Sequence, residues 1–322
     1  MNARRIEVLL AAAGVTLFAA VVSKIGWGAA LHELRRAWVA LPLLIGLSAV
    51  RLLLQTRSWM LALREQGLQT NLGELVGIRL ASQSLGYLSV LGPALSEPMK
   101  IKLLGNDWKR STTATLVDSG VYWFSSALVG IAGCVAAAIV LAHGRYGTTL
   151  FAIATLFVLA IVLLCRQKPI LSSLVELTKG RAPEWLKKGA ELEGQVRTFR
   201  EQYPNTLRSM MRIDLVCQIL VVAEAAIVIS TARLPVHLLT ILGIEAGVRI
   251  AKMTSGWIPA RVGADEGGTV AAFAAFGLSP TAGLMLALAR RSRDFLWCVL
   301  GLGWLAWRSY QGRKQQVSTE VA

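Results

Sequence analysis

The stretch Ile244–Phe276 reads IEAGVRIAKMTSGWIPARVGADEGGTVAAFAAF, an apolar segment that nevertheless carries Glu245, Arg249, Lys252, Arg261, Asp265 and Glu266. Gly256, Pro259 and Gly263 interrupt it, and such residues break or bend a helix. Two further groups share its character. PALSEPMK at Pro93–Lys100 holds Glu97 and Lys100, with Arg79 and Asp118 in the apolar runs on either side, and Arg290, Arg291, Arg293 and Asp294 cluster in the last apolar run. Guanidinium and ammonium groups bind phosphate by charge-assisted hydrogen bonds, arginine in a two-pronged fork. Arg261, Lys252 and Arg290 are therefore candidates for phosphate contact, with Arg291, Lys100 and Arg79 as further headgroup ligands. Glu97, Glu266 and Asp118 would hold the arginines or accept protons, and Asp265 is a further candidate proton site.

Competing chemistries leave weaker traces. Asp265 and Glu266 could form a catalytic carboxylate pair, yet adjacent residues on a helix point about 100° apart. No HExxH, GxSxG or GxxxxGK[ST] pattern occurs. His32, His143 and His237 are far apart, and Cys134, Cys165, Cys217 and Cys298 stand singly without metal spacing. The cysteines read as small buried hydrophobes, and neither metal nor cofactor is expected. A plainer alternative exists for some charges: Glu245/Arg249 and Arg290/Asp294 are four apart, so each pair shares a helical face and could neutralise itself.

These groups need a frame that tolerates them. Of 322 residues, 54% are hydrophobic and 16% charged, with a mean hydropathy of +0.54. A soluble domain would be about a quarter charged. Runs of roughly 20 apolar residues recur, each long enough to cross a hydrocarbon core. Spans are expected over 6–22, 38–54, 111–142, 148–165, 213–231 and from 280 to about 307, with interrupted stretches at 72–104 and 236–276. The fold class is all-α: a polytopic integral membrane bundle with two interrupted, re-entrant hairpins. A charge at the centre of a membrane helix costs about 2.5–3.5 kcal/mol by insertion scales, so the buried charges must face protein, water or a ligand. The net charge of +15 does not indicate nucleic acid, because no recognition module accompanies it.

With each hairpin entering and leaving on the side it came from, the segments placed in the cytoplasm hold 19 Lys/Arg and the opposite segments 5. That bias puts both termini in the cytoplasm of an inner-membrane protein, against a local excess at Lys24, Arg35 and Arg36. The first apolar run lacks a small-residue cleavage site and reads as an anchor. Residues 1–322 form one transmembrane domain: a first repeat over about 37–165, an amphipathic cytoplasmic connector over 166–212, a second repeat over about 213–308, and a polar tail over 309–322. In each repeat a proline precedes a glutamate, an apolar return follows, and the next span carries charge part-way along. On this topology the hairpins enter from opposite faces, an inverted repeat of the kind used by secondary transporters.

The motifs resemble the flippase-like family of the lysyl-phosphatidylglycerol synthase transmembrane region. PALSEPMK matches its first motif through Pro93, Glu97 and Lys100, although an arginine and a glycine of that motif are replaced. IPARVGADEGG, FGLSP and LARRSRD match the second through Pro259, Gly263, Glu266, Gly277, Arg290 and Arg291. The resemblance spans about residues 5–310 and is closest to the shorter single-domain members, including those of hopanoid gene clusters. It implies moving or exposing a polar lipid, either an anionic phospholipid or a polyprenyl- or hopanoid-type lipid, without lysine transfer. Two rival functions remain: a non-catalytic membrane partner of a glycosyltransferase or lipid-modifying enzyme, docked through 166–212, and an intramembrane lipid-modifying enzyme.

Overall fold

The computed structural model describes residues 23, 27–89, 93–105, 107–141, 172, 183–234, 237–255, 258 and 261–320. The spans expected over 6–22 and 148–165 lie outside the described residues, as do Gly256 and Pro259. Among the described residues there is helix and no strand. The helices are α1 (Trp27–Glu65), α2 (Leu72–Leu88), α3 (Pro93–Leu104), α4 (Trp108–Val140), α5 (Glu184–Gln202), α6 (Pro204–Thr231), α7 (Leu238–Thr254), α8 (Ala264–Ala275) and α9 (Pro280–Glu320).

Local signals set most of the ends. Asn71 accepts a hydrogen bond from the Gly73 N–H at 3.0 Å to start α2, and Asp107 accepts from the Lys109 N–H at 2.9 Å to start α4. Pro204 opens α6, where its missing N–H has no helical partner to lose. That start falls inside the stretch read as connector, so the helix begins before the expected span. The tail is likewise helical as far as Glu320, as suits its Arg, Lys and Gln content.

Among the described residues, three helices are long and apolar enough to cross a membrane: Trp38–Glu65 of α1, α4 and α6, with mean hydropathies of 1.8, 2.0 and 2.2. Their radial pattern is the reverse of a water-soluble helix. α4 buries Ser111, Thr112, Thr113, Thr115, Asp118, Ser125 and Ser126, while Leu116, Trp123, Leu128, Val135 and Ile139 are exposed. Hydroxyls and a carboxylate inside with hydrophobes outside is the arrangement an apolar solvent selects.

The helix contacts have an internal two-fold pattern. α1 lies against α6; α2 lies against α9 as α7 lies against α4; α3 bridges α2 and α4 as α8 bridges α7 and α9. Exchanging α1–α4 with α6–α9 leaves this set of neighbours unchanged, including α1 with α4 and α9 and α6 with α9 and α4. Small residues allow the cross-contacts to be close. A Cβ added to Gly133 of α4 would run into the Leu242 carbonyl and Ala246 of α7, and one added to Gly301 of α9 would run into Leu80 and Ser84 of α2.

Two apolar cores result. One joins Leu44, Val228, Ile244, Phe273 and Met285, and the other Trp59, Leu63, Ile78, Val117, Phe199 and Met210. Phe199 seats α5 on the second core, and Thr113 of α4 donates to Gln195 of α5 at 2.5 Å. Along α1 the order is Leu44, then polar Ser48 to Gln55, then Trp59; along α6 it is Met210, then Gln218 to Glu224, then Val228. A polar layer therefore lies between the two cores.

Candidate functional site

The polar layer is built from charges on facing helices. In the first half, Arg79 of α2 pairs with Asp118 of α4 at 3.3 Å and donates to the Gln55 carbonyl of α1 at 2.8 Å. Lys100 of α3 donates to both Glu97 oxygens at 2.8 and 3.0 Å, and Ser119 of α4 donates to the same carboxylate at 3.0 Å. The Lys100 ammonium also lies 5.9 Å from the centre of a Trp59 ring, within cation–π range. Ser58 of α1 donates to Asp214 of α6 at 3.3 Å.

In the second half, α9 carries Arg290, Arg291 and Arg293, and most of the acids that meet them lie on α6, α7 and α8. Arg290 donates to Glu245 of α7 at 2.6 Å and to the Val221 carbonyl of α6 at 3.2 Å. Arg293 pairs with Glu224 of α6 and with Asp294 at 2.8 Å. Glu224, almost wholly buried, is approached also by Arg290 and by Arg51 of α1, each at 3.8 Å. Arg291 pairs with Glu266 of α8, whose other contact explains the glycine–glutamate spacing. The Gly263 N–H donates to Glu266 at 2.8 Å, closing the first turn of α8. Gly263 has φ 78°, which a side chain would disfavour. Glu266 thus caps a helix and neutralises an arginine at once.

Three cations stand outside this pairing. Among the described residues, Arg249, Lys252 and Arg261 form no ion pair with a carboxylate. Arg249 of α7 donates instead to neutral partners, Ser126 at 2.5 Å and Gln218 at 2.7 Å. Arg261 sits at φ 49°, its carbonyl accepting from Arg291 at 3.2 Å. All three line a cavity of about 750 Å³ whose wall draws on α1–α4, α6, α7 and α9. Eight lining residues are Lys or Arg (51, 79, 100, 249, 252, 261, 290 and 293) and five are acids (97, 118, 224, 245 and 294). That volume lies within the usual ligand-pocket range of about 300–1,000 Å³. With five carboxylates opposite eight cations, the chamber suits an anion. Tyr122, Trp123 and Met253 line it and are also exposed, so its wall reaches the outer surface of the protein.

The pattern described for the transmembrane region of lysylphosphatidylglycerol synthase matches residues 6–303. The chain belongs to that family. A search of curated proteins and one of solved structures gave no match. This lysylphosphatidylglycerol synthase transmembrane-region protein is therefore a membrane protein related to lipid handling.

The residues singled out from the sequence of this family member fall into distinct places. Arg79, Lys100, Lys252, Arg261, Arg290, Glu97 and Asp118 all line the large cavity, bringing the two interrupted stretches to one chamber. Arg291, Glu266 and Asp265 lie behind it, around α8. Pro93 begins α3 and Gly263 precedes α8, so both stand at helix starts. Of the six cations proposed for a headgroup, Arg79, Lys100, Arg290 and Arg291 already face carboxylates, whereas Lys252 and Arg261 do not. The self-neutralising pairs suggested by spacing are replaced by bonds between helices. Glu245 is taken by Arg290 rather than Arg249, and Asp294 by Arg293 rather than Arg290. The consequence is that Arg249, for which the spacing offered Glu245 as one possible partner, has no carboxylate partner among the described residues. Lys102 of α3, within the first interrupted stretch, is exposed. Cys134, Cys217 and Cys298 are buried free thiols.

Proposed function

We propose that this protein is a flippase-like lipid transporter that carries or exposes an anionic lipid across the inner membrane. The headgroup occupies the cavity, held by Arg249, Lys252 and Arg261, while acyl or prenyl chains remain in the bilayer. The two interrupted stretches dip from opposite faces of a multi-pass bundle with both termini in the cytoplasm. The observation that carries this reading is the set of three cations without carboxylate partners in a chamber walled by both halves. Half-buried cations with no carboxylate within ion-pair distance are left under-neutralised, and an anionic ligand would supply charge to them.

Purified protein in phosphatidylcholine vesicles containing a fluorescent phosphatidylglycerol provides the test. Dithionite quenching of the inner-leaflet label reports translocation. A charge-assisted hydrogen bond contributes about 1.5–3 kcal/mol, so Arg249→Gln or Lys252→Gln is expected to slow translocation by roughly 10- to 100-fold. Equal rates in wild type and both variants would remove the transport reading.

A further inference from the structure

Adjoining the large cavity is a second, partly open space of about 10 Å³, room for about one water molecule. Lys252 of α7 lines both spaces, and Asp265 of α8 lines only the smaller. The charges facing this small space can be assigned one by one. Arg290 of α9 is met by Glu245, Arg291 of α9 by Glu266, and Asp294 of α9 by Arg293. Tyr87 of α2 and Thr269 of α8 are neutral, and the Thr269 hydroxyl is spent on the Asp265 carbonyl at 2.7 Å. What remains is one cation, Lys252, and one carboxylate, Asp265. They form no ion pair with each other or with anything else among the described residues, and Asp265 Oδ1 is buried without a hydrogen-bond partner. Of the four acids the sequence offers as proton sites, Glu97, Asp118 and Glu266 are held by cations, and Asp265 is not.

We infer that Asp265 is a proton site coupled to anion binding through Lys252. This rests on the transport reading above. With the large cavity unliganded, the Lys252 ammonium is, among the described residues lining the small space, the one cation without a carboxylate partner to set against Asp265. An anion in the large cavity draws the ammonium toward itself on its flexible four-carbon stem. Asp265, half-buried with its Oδ1 shut away from solvent, is then left as an uncompensated carboxylate, which a proton from the water of the chamber neutralises. When the anion leaves, the ammonium swings back and the acid returns its proton to that water. A transporter that releases anion and proton on the opposite side thereby moves both together.

Two measurements separate this inference from the reading beneath it. In detergent solution with a dilute pH dye, dihexanoyl phosphatidylglycerol does not itself titrate near neutrality. Wild type is expected to take up about one proton per bound anion, and Asp265→Asn none, with anion binding retained. Anion binding without proton uptake in wild type, or unchanged uptake in Asp265→Asn, overturns the proton site and leaves the anion site standing. In vesicles, a one-unit pH gradient is expected to bias wild-type lipid distribution about tenfold, and Asp265→Asn not at all. Translocation indifferent to the gradient in both proteins overturns the coupling, whereas no anion binding in wild type overturns both readings. Asp265→Glu, which keeps the acid, is expected to restore uptake if Asp265→Asn merely misfolds; an Asp265→Glu protein that binds anion without taking up a proton sinks the inference.

Discussion

The two halves of the bundle repeat the same neighbours but close their charge differently. In α1–α4 every cavity cation has a carboxylate within ion-pair distance: Arg51 with Glu224, Arg79 with Asp118, Lys100 with Glu97. In α6–α9 the arginines of α9 are matched as thoroughly, but Arg249 and Lys252 of α7 and Arg261 after it are left over. An architecture with internal two-fold contacts thus holds an asymmetric field, and the surplus positive charge sits on one wall. Matched pairs stabilise the frame and add little attraction for a ligand; unmatched ones add little to the frame and most of the attraction.

That division gives substitutions on the two sets opposite signatures. The largest loss of stability is expected for Glu224→Ala, which leaves Arg51 without a carboxylate and takes one of two carboxylates from each of Arg290 and Arg293. Breaking one buried pair costs about 3–5 kcal/mol, and thermal unfolding in detergent should show at least that much. Next comes Arg79→Leu, with a similar cost for its single buried partner. The double variant Arg79→Leu/Asp118→Leu should recover most of the loss, since it removes both charges; a double variant as unstable as the sum of the singles contradicts the pairing. Gly301→Val should cost about 1–3 kcal/mol by forcing α9 away from α2, and Gly133→Val a similar amount at the equivalent α4–α7 contact. A large difference between those two would break the two-fold description. Smaller still is Lys252→Gln, which breaks no ion pair among the described residues and is expected to change stability less than any of these while lowering anion binding. Lys109→Ala removes only the exposed pair with Glu191 and should change neither unfolding nor translocation measurably.

Different parts of this picture were open to sequence reasoning for different reasons. Membrane character follows from run lengths and composition, which the bilayer sets directly. The break before α8 was legible because Gly263 and Glu266 are local: the glycine takes φ 78° and the glutamate folds back onto its N–H. The gathering of Lys252, Arg261, Arg290 and Glu97 in one chamber followed from the duplicated motif alone. The identity of each charge partner did not. Glu245 and Arg249 share a helical turn, but α9 delivers Arg290 to Glu245 from across the bundle, and the register between two helices leaves no trace in the spacing along one. The start of α6 was missed because the polar residues from Pro204 to Arg212 were read as connector. There the chain is already helical, with Met210 and Leu207 against the core around Phe199.

The backbone of Arg261 carries a consequence of its own. A φ of 49° is inexpensive for glycine and unfavourable by about 1–2 kcal/mol for a residue with a Cβ, so a glycine at this position would relax the loop. An Arg261→Gly protein should therefore melt higher than its parent while gripping its cargo less tightly. A tougher but less capable molecule would show that the chain gives up some durability here to keep a guanidinium at the chamber's edge.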